Sequence, residues 1–282
     1  GNEIIQRMTD NYRRFRNTLR YLLGALDGFD DAERVDYSDM PDLERWVLNR
    51  LAEIDANIRK MTENYDFHGI FTELHTLCNS DLSAFYFEIR KDRLYCDDPH
   101  SVARRACRTV MAEIFDRLTA WLAPILCFTA EEAWQSRVGD PENSVHLRSY
   151  DAVPAEWHNA DVATRWSAIR KTRQVVMSAL EAARNDGKIG SSLQAAPIVH
   201  VSAKIATIFA DMDCAALFIT SDAQVTDAPA PADAFRMDGI DDVAIVFAKA
   251  DGGKCARCWK ILPDVTTEDG ICGRCDDVVS SS

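Results

Sequence analysis

Apolar residues recur at steps of three and four along the stretch from Leu43 to Arg93, with polar residues between them. This spacing places the apolar side chains on one face of an α-helix. The pattern runs twice and is interrupted only at Tyr65-Asp66. The first stripe comprises Leu43, Trp46, Val47, Leu51, Ile54, Ile58 and Met61, and the second Phe67, Ile70, Phe71, Leu74, Leu77, Leu82, Phe85 and Ile89. Because two long helices joined by a few residues pack antiparallel, the stretch predicts a helical hairpin.

The same periodicity predicts helices on both sides of this hairpin. They cover residues 2–26, residues from Asp97-Asp98-Pro99 through Trp121, residues 125–137 and residues 161–185. Thr129 and Glu132 have the spacing of a capping box, which would start the third of these helices. Residues 1–137 therefore predict an all-helical bundle, and the turn-rich segment 139–154 predicts its boundary.

The pattern changes beyond the last long helix. Short β-rich segments at 197–201, 216–220, 224–226 and 243–248 are separated by Asp, Pro and Gly, with a helix near 204–212. The predicted fold is mainly α, an antiparallel helical bundle followed by a small α+β unit and a four-Cys zinc knuckle. The predicted domains are residues 1–140, 155–250 and 251–282.

Composition and charge narrow the class of protein. The chain of 282 residues is 47% hydrophobic and 27% charged, as in globular proteins, and no apolar segment is long enough to span a bilayer. It opens with Gly1, enters a helical pattern at once and has no signal-peptide pattern, so we expect it to be part of a longer polypeptide. The net charge of -13 argues against nucleic-acid binding by the whole surface. The acids are concentrated in segments 27–42 and 211–242, however, so local basic faces remain compatible with it.

The strongest chemical signal is a pair of CxxC motifs near the C-terminus. Cys255 and Cys258 form the first pair, and Cys272 and Cys275 form the second, with thirteen residues between the pairs. Two such pairs give a tetrahedral four-thiolate zinc site, which is structural because it leaves no open coordination position. Two disulfides or a redox CxxC are the alternatives. The remaining cysteines are scattered singly, as is usual in a reducing compartment, which disfavours disulfides.

Two clusters of cations are candidates for contact with a nucleic acid. The first helix carries five arginines, among them Arg13, Arg16 and Arg20. They form a solvated helix face, a face that contacts phosphates, or both. The second cluster surrounds the zinc knuckle and comprises Lys254, Arg257, Lys260 and Arg274, with the aromatic Trp259 between them. Trp259 either stacks on a base or packs the knuckle against the preceding β unit.

Catalytic motifs are not found in the sequence. It contains no Gly-rich phosphate loop, no nucleophile elbow and no HExxH motif. His68, His75 and His100 lie in helical contexts, where a structural or surface role is more common than general-base catalysis. We therefore expect this chain not to be a catalyst by itself.

Several strings along the chain resemble one family. They are YRRFRNTLRYLLG at 12–24, LERWVLNRL at 43–51, DLSAFY at 81–86, LAPI at 122–125, FTAEEAW at 128–134, IGSSL at 189–193 and the two CxRC motifs. Together these strings resemble the C-terminal half of bacterial isoleucyl-tRNA synthetases, which are class I aminoacyl-tRNA synthetases. The bundle strings alone would also suit the valyl and leucyl relatives. The zinc tail after an IGSSL-type linker is what favours the isoleucyl family.

The resemblance implies that this chain is the tRNA-binding portion of a larger enzyme and that it binds the anticodon stem and loop of tRNA(Ile). It implies one structural Zn²⁺ held by Cys255, Cys258, Cys272 and Cys275, and RNA contacts from Arg13, Arg16 and Arg20. The cations and the aromatic ring at the knuckle add Trp259, Lys260 and Arg274 as candidate RNA contacts. ATP would be used only by the catalytic domain of the same polypeptide, whose HIGH and KMSKS signatures are missing from this sequence. A cytoplasmic monomer without membrane attachment is expected. The alternatives are a DNA-repair glycosylase with a similar zinc finger and a helical interaction scaffold with a structural zinc.

Overall fold

The computed structural model describes residues 1–281. These residues divide into two compact units. The first contains Gly1–Leu94 and Pro99–Val162, and the second contains Tyr95–Asp98 together with the chain from Ala163 onward. The predicted domain limits of 1–140, 155–250 and 251–282 stay a prediction.

The first unit is a helical bundle, as predicted. Its helices are α1 (Asn2–Ala25), α2 (Asp42–Glu63), α3 (Phe67–Thr76), α4 (Glu88–Cys96, whose last two residues belong to the second unit), α5 (Val102–Leu122) and α6 (Cys127–Val138). The apolar stripe of α2 is buried along its length, since Leu43, Leu51 and Ile58 are almost inaccessible to solvent. Helix α5 lies in the middle of the bundle and is buried on most of its surface. The mainly helical fold class is confirmed.

The second half of the predicted hairpin is not a continuous α-helix. Between α3 and α4, residues Leu77–Phe87 form a π-helix, in which hydrogen bonds run from residue i to residue i+5. The hairpin turn itself is tight. Tyr65 adopts a left-handed φ of 56°, and the Asp66 carboxylate accepts a hydrogen bond of 2.9 Å from the Gly69 backbone N–H. This bond caps the start of α3.

Two predicted helix starts differ from the structure. The side chain of Ser101, rather than the Asp97-Asp98-Pro99 segment, caps α5 by accepting from the Arg104 N–H. The predicted capping box at Thr129 and Glu132 is wrong, since Leu126 precedes α6 without a side-chain cap. The Thr129 hydroxyl instead lies 3.1 Å from the Tyr12 hydroxyl of α1. Thr129 and Glu132 are therefore used in tertiary contacts, which the sequence spacing does not distinguish from a cap.

A buried ion pair joins α2 to α4 within the bundle. Arg90 donates from Nε to Glu44 Oε1 at 2.6 Å and from Nη2 to Oε2 at 2.5 Å. The Tyr86 hydroxyl donates to the same Oε1 at 3.1 Å. Burial opposes the charge on Arg90, but the attraction of Glu44 outweighs it and raises the pKa of the guanidinium. A buried pair of this kind is tolerated because both ions are satisfied by hydrogen bonds.

The second unit contains helix α7 (Ala160–Asn185), most of which lies in this unit, and a four-stranded sheet. The strands are β1 (Ile198–Val201), β2 (Gln224–Thr226), β3 (Phe235–Met237) and β4 (Ile240–Val246), in the order β2-β1-β4-β3. Strand β1 is parallel to β2 and antiparallel to β4, where Val199 pairs with Ile245. Two short helices, α8 (Ala203–Phe209) and α9 (Cys214–Phe218), connect β1 to β2.

The predicted strand at 216–220 is wrong, because residues Cys214–Phe218 form α9. Asp213 caps this helix by accepting from the Ala216 N–H, and Ile219 ends it with a left-handed φ of 56°. The cap overrides the β propensity of the apolar residues that follow it. Strand β3 was not predicted.

No helix in the described part of the chain combines the length and the apolar character that crossing a membrane requires.

Candidate metal centre and nucleic-acid interface

The four predicted zinc ligands lie on a short hairpin and a helix at the end of the second unit. The hairpin consists of β5 (Gly253–Lys254) and β6 (Ile261–Leu262), and the first CxxC pair lies in the turn between them. The second pair lies at the start of helix α10 (Gly273–Ser280). Gly252 and Gly253 allow the hairpin to close, since a Cβ on either residue would lie 2.2 Å from backbone atoms of Leu262 or Val265.

The four cysteines converge on one point. Their Sγ atoms all lie within 4.8 Å of one another, and all four residues are buried. The Sγ atoms of Cys258 and Cys272 are 3.8 Å apart. Four thiolates arranged tetrahedrally at about 2.3 Å from a zinc ion are separated by about 3.8 Å. The donor set and its spacing therefore fit a structural zinc ion.

The surroundings of the site favour ionisation of one thiol and oppose the ionisation of two others. Burial disfavours the thiolate of Cys255, but hydrogen bonds from the backbone N–H groups of Cys258, Cys272 and Arg257 lower its pKa to about 6. Burial raises the pKa of Cys258 and of Cys272. Four neighbouring thiolates repel one another in the absence of a cation. A divalent metal supplies the missing positive charge and allows all four to ionise.

A segment from the middle of the chain covers the metal centre. Arg257 donates from Nη1 to the Cys96 carbonyl at 2.5 Å and from Nη2 to the Tyr95 carbonyl at 3.3 Å. Arg274 pairs with Asp97 at 3.3 Å. Cys96 is buried in the same apolar cluster as the four ligands. Arg274, predicted to contact RNA, thus also holds the Tyr95–Asp98 segment, and its role toward RNA stays a prediction.

Trp259 does not pack the knuckle against the sheet. Its side chain is 61% exposed, and the residue adopts a left-handed φ of 67° at the end of the first CxxC turn. The Lys254 ammonium lies 5.8 Å from the centre of the indole ring. Lys260 is half-buried, and its carbonyl accepts from the Cys255 N–H at 2.9 Å. The exposed ring and its neighbouring cation are available to a ligand, as base stacking requires.

Arg13, Arg16 and Arg20 lie on one face of α1, because they are spaced by three and four residues. All three are exposed. Arg13 makes a long ion pair of 3.4 Å with Asp10. Arg20 makes no ion pair or hydrogen bond with any of residues 1–281. Arg16 and Arg20 line a groove of about 130 Å³ between α1 and α6.

Arg16 differs from the other two in having a partner on α6. Its Nη1 and Nη2 atoms donate to the two Glu132 carboxylate oxygens at 2.7 and 3.2 Å. These hydrogen bonds raise the pKa of Arg16 and lower the pKa of Glu132. The carboxylate also cancels the charge that Arg16 would present to an anion. The strength of this basic face therefore depends on Glu132.

Three further arginines near the start of α5, Arg104, Arg105 and Arg108, do not form another outward-facing basic surface. Arg108 is only 6% exposed. It donates to the Ala25 and Asp27 carbonyls beyond the end of α1, and it pairs with Glu33 at 2.8 Å. Arg105 donates to the carbonyls of Ala32 and Glu33. Both guanidiniums hold the acidic 27–42 loop in place. All three guanidinium nitrogens of Arg108 have partners, so Arg108 is not available to phosphates.

The sequence gives no indication of one further feature, a cleft of about 420 Å³ between α2 and the segment 150–158. Its lining includes Ala52, Ala56, Arg59, Tyr150 and His158. The long connection after α6 folds back onto α2 and α5, because Arg59 of α2 and Arg117 of α5 donate to the carbonyls of residues 150–152. Contacts from side chain to backbone across 34 to 92 residues have no periodic signature, so periodicity could not have revealed the cleft.

Comparisons with known proteins match most of the chain. Residues 44–200 match the model of a family described as the anticodon-binding domain of tRNA ligase. Residues 252–278 match the model of a zinc finger found in FPG and IleRS. The four cysteines lie within this second match, so the zinc-finger match and the clustered thiols together establish a structural Zn²⁺ site.

The chain is similar throughout to proteins named isoleucine–tRNA ligase. The protein of Ruegeria pomeroyi is 49% identical over 98% of this chain and 29% of its own length. That of Gluconobacter oxydans is 46% identical over 100% of this chain and 29% of its own length, and that of Caulobacter vibrioides is 44% identical over 95% and 28%. The chain therefore spans less than a third of the length of these relatives. The glycosylase alternative is not favoured, because the similarity to these ligases extends through the bundle as well as the zinc tail.

Proposed function

The chain belongs to the family of anticodon-binding domains of tRNA ligases, and from this premise we propose that it is the tRNA-binding portion of an isoleucine–tRNA ligase. In the intact protein a separate catalytic domain would use ATP to attach isoleucine to tRNA(Ile). This chain would bind the anticodon stem and loop, as a cytoplasmic monomer. The observation that carries the proposal is the end-to-end similarity to these ligases, which includes both the bundle and the zinc knuckle.

Two surfaces carry the proposed RNA contacts. The α1 face presents Arg13, Arg16 and Arg20 along about 10 Å of helix, at 1.5 Å per residue. Guanidiniums bind phosphate oxygens through paired N–H donors. The zinc knuckle presents the exposed Trp259 ring, with Lys260 and Arg274 near it, for stacking on an unpaired base. The metal stabilises the turn that holds Trp259, while the ring itself makes the contact.

Salt dependence tests the α1 face. Each phosphate contact releases condensed counterions, so log affinity falls with log salt by about 0.9 for each contact on a duplex. Replacing Arg20 with Ala should lower this slope by about one contact when tRNA(Ile) binding is measured by fluorescence anisotropy across a salt series. Arg7→Ala is the matched control, because Arg7 is exposed on another face of α1 and pairs with Glu3. Glu132→Gln should strengthen binding, because it frees the charge of Arg16.

Trp259 should behave differently from the arginines. Trp259→Ala should weaken binding by about 1–3 kcal/mol with the salt slope nearly unchanged, since stacking neutralises no phosphate. The zinc content should stay the same, because the exposed indole is not one of the four zinc ligands. Equal slopes and affinities for the unaltered chain, Arg20→Ala and Trp259→Ala would contradict both contact surfaces. A chain that does not bind tRNA at any salt concentration would overturn the proposed function and favour an interaction scaffold.

A further inference from the structure

The cleft between α2 and the segment 150–158 has features of a binding site. Its volume of about 420 Å³ lies within the range of small-ligand pockets, roughly 300–1,000 Å³. Ala52 and Ala56, one helical turn apart on α2, leave space at its base. Tyr150, Val153 and His158 line the remaining walls. All of these residues belong to the first unit.

A fixed guanidinium lies at the side of the cleft. Arg59 Nε donates to Asp55 Oδ2 at 2.6 Å, and Arg59 Nη2 donates to the carbonyls of Tyr150 and Asp151 at 3.1 and 2.8 Å. Nη1 has no hydrogen-bond partner among the residues that the structure describes. The side chain is 41% exposed. Arg59 therefore offers two N–H donors whose direction is already set, so a ligand would bind them with little loss of side-chain entropy.

The cleft also offers planar surfaces. The Arg59 guanidinium lies 5.7 Å from the centre of the Tyr150 ring. The guanidinium and the ring therefore form one wall of the cleft together. The His158 imidazole is exposed and makes no hydrogen bond within residues 1–281. Unpaired RNA bases stack on the rings of tyrosine and histidine and on the planar guanidinium of arginine.

The charge of the cleft favours a neutral ligand. Asp55 is 4% exposed and pairs with Arg59, so the two charges cancel. A phosphate would gain little from a site without net positive charge, whereas a base needs only flat surfaces and a donor facing one of its acceptor atoms.

We propose that this cleft binds one unstacked base of an RNA loop, with the base between Tyr150 and His158 and an acceptor atom of the base on Arg59 Nη1. The inference rests on the proposed function, and it identifies a second place at which the same RNA is held. Its site is separate from both the α1 face and the zinc knuckle, since it shares no residue with either of them.

Filling the cleft is the direct test. Ala56 lies in the middle of α2, where leucine is a good helix former, so Ala56→Leu blocks the cleft without removing a contact. Asn57→Leu is the matched control, because it adds a similar side chain at the next exposed position, which does not line the cleft. With the anticodon stem-loop RNA of tRNA(Ile) as the probe, Ala56→Leu should weaken binding about 5- to 150-fold, the loss expected for one stacked base. Asn57→Leu should bind as the unaltered chain does.

Replacing His158 with Ala tests the stacking surface, with the exposed His68→Ala as its control. His158→Ala should weaken binding while the slope of affinity against salt stays the same, because no phosphate contact is lost. The imidazole resonances of His158 should shift on addition of the RNA in NMR spectra of the unaltered chain.

The outcomes separate the two proposals. If the unaltered chain binds the RNA and Ala56→Leu binds equally well, the cleft inference is overturned and the proposed function stands. If the RNA binds and the His158 resonances do not shift, the cleft inference is likewise overturned and the proposed function stands. If the unaltered chain does not bind the RNA, the proposed function fails and the cleft inference fails with it.

Discussion

Arginine residues in this chain have different roles because their partners differ. Arg90 is buried and paired with Glu44, Arg108 of α5 is buried against the 27–42 loop, and Arg16 is paired with Glu132 at the surface. Arg20 has no such partner within residues 1–281. Sequence alone shows which positions carry arginine. Burial and pairing decide which of these arginines stabilise the fold and which present charge to an anion.

Breaking the Glu44–Arg90 pair should destabilise the bundle strongly. Glu44→Gln leaves the charge of Arg90 buried without a counter-ion, which costs about 3–5 kcal/mol. Urea unfolding followed by circular dichroism measures this loss. Glu3→Gln is the control, because the Glu3–Arg7 pair is exposed and surface pairs contribute less than about 1 kcal/mol. A loss of under about 1 kcal/mol for Glu44→Gln would contradict the role assigned to the pair.

Removing one zinc ligand should abolish tight metal binding. Cys272→Ser replaces a thiolate with a neutral hydroxyl, so zinc affinity should fall by more than about 100-fold, beyond the loss typical of outer-shell changes. Elemental analysis should find about one zinc per unaltered chain and nearly none in the variant. Cys127→Ser should keep the metal, since Cys127 is exposed and outside the cluster. Retention of zinc by Cys272→Ser would refute the four-thiolate site.

At the scale of elements, the π-helix explains where the helical prediction stops being accurate. Leu77, Leu82 and Phe87 are all buried and are separated by steps of five. Such steps match hydrogen bonds from residue i to residue i+5 and do not match the α-helical period. The helix at 67–89 could be predicted because the α-like steps on both sides outnumber the steps of five. The helical character was therefore predictable, but the type of helix was not.

The β5–β6 hairpin should not tolerate a side chain at Gly253. A Cβ there would lie 2.2 Å from the Val265 carbonyl oxygen. Moving this backbone atom would disturb the cluster in which Val265 packs with the four cysteines. Gly253→Ala should therefore weaken zinc binding, measured by competition with a chromogenic chelator. Gly24→Ala is the control, since a Cβ at Gly24 meets no atom within 4 Å and alanine favours a helix. Unchanged zinc affinity of Gly253→Ala would contradict this account of the hairpin.

At the scale of the whole molecule, the predictability of the candidate sites depends on sequence separation. The zinc ligands could be predicted because each pair is local and the two pairs lie close in sequence. The contact of Arg257 with Cys96 joins residues 161 apart and leaves no pattern in the sequence. The same holds for the cleft, where Arg59 contacts residue 151, which is 92 residues away. Long-range side-chain contacts must therefore come from the structure.

Metal removal should loosen the zinc tail and leave the bundle folded. The knuckle has a small apolar core and depends on metal binding of about 10 kcal/mol or more, whereas the bundle has its own core. After chelation, Cys96 should become accessible to alkylation, while Cys78 and Cys107, which are buried in the bundle, should stay protected. Mass spectrometry of alkylated peptides measures this difference. Labelling of all three would show that the bundle unfolds together with the tail.

Adenylate formation tests the absence of catalysis in this chain. Given isoleucine and ATP, the chain should not catalyse pyrophosphate exchange, since its sequence contains no Gly-rich phosphate loop and no HIGH or KMSKS signature. A full-length isoleucine–tRNA ligase in the same assay serves as the positive control. Exchange by the purified chain above background would overturn this part of the proposal.

The covering of the metal centre by Tyr95–Asp98 has a consequence for synthesis on the ribosome. Arg257, which holds this segment, follows Cys96 by 161 residues, so it is translated long after the segment has emerged. At about 5–20 residues per second, the delay is roughly 8–32 s. During that time the Cys96 thiol lacks the contacts that the zinc tail makes with it in the folded protein. Zinc binding by the newly synthesised tail is then the step that completes this part of the fold. A shortage of zinc would therefore affect newly made chains before it affects molecules that have already folded.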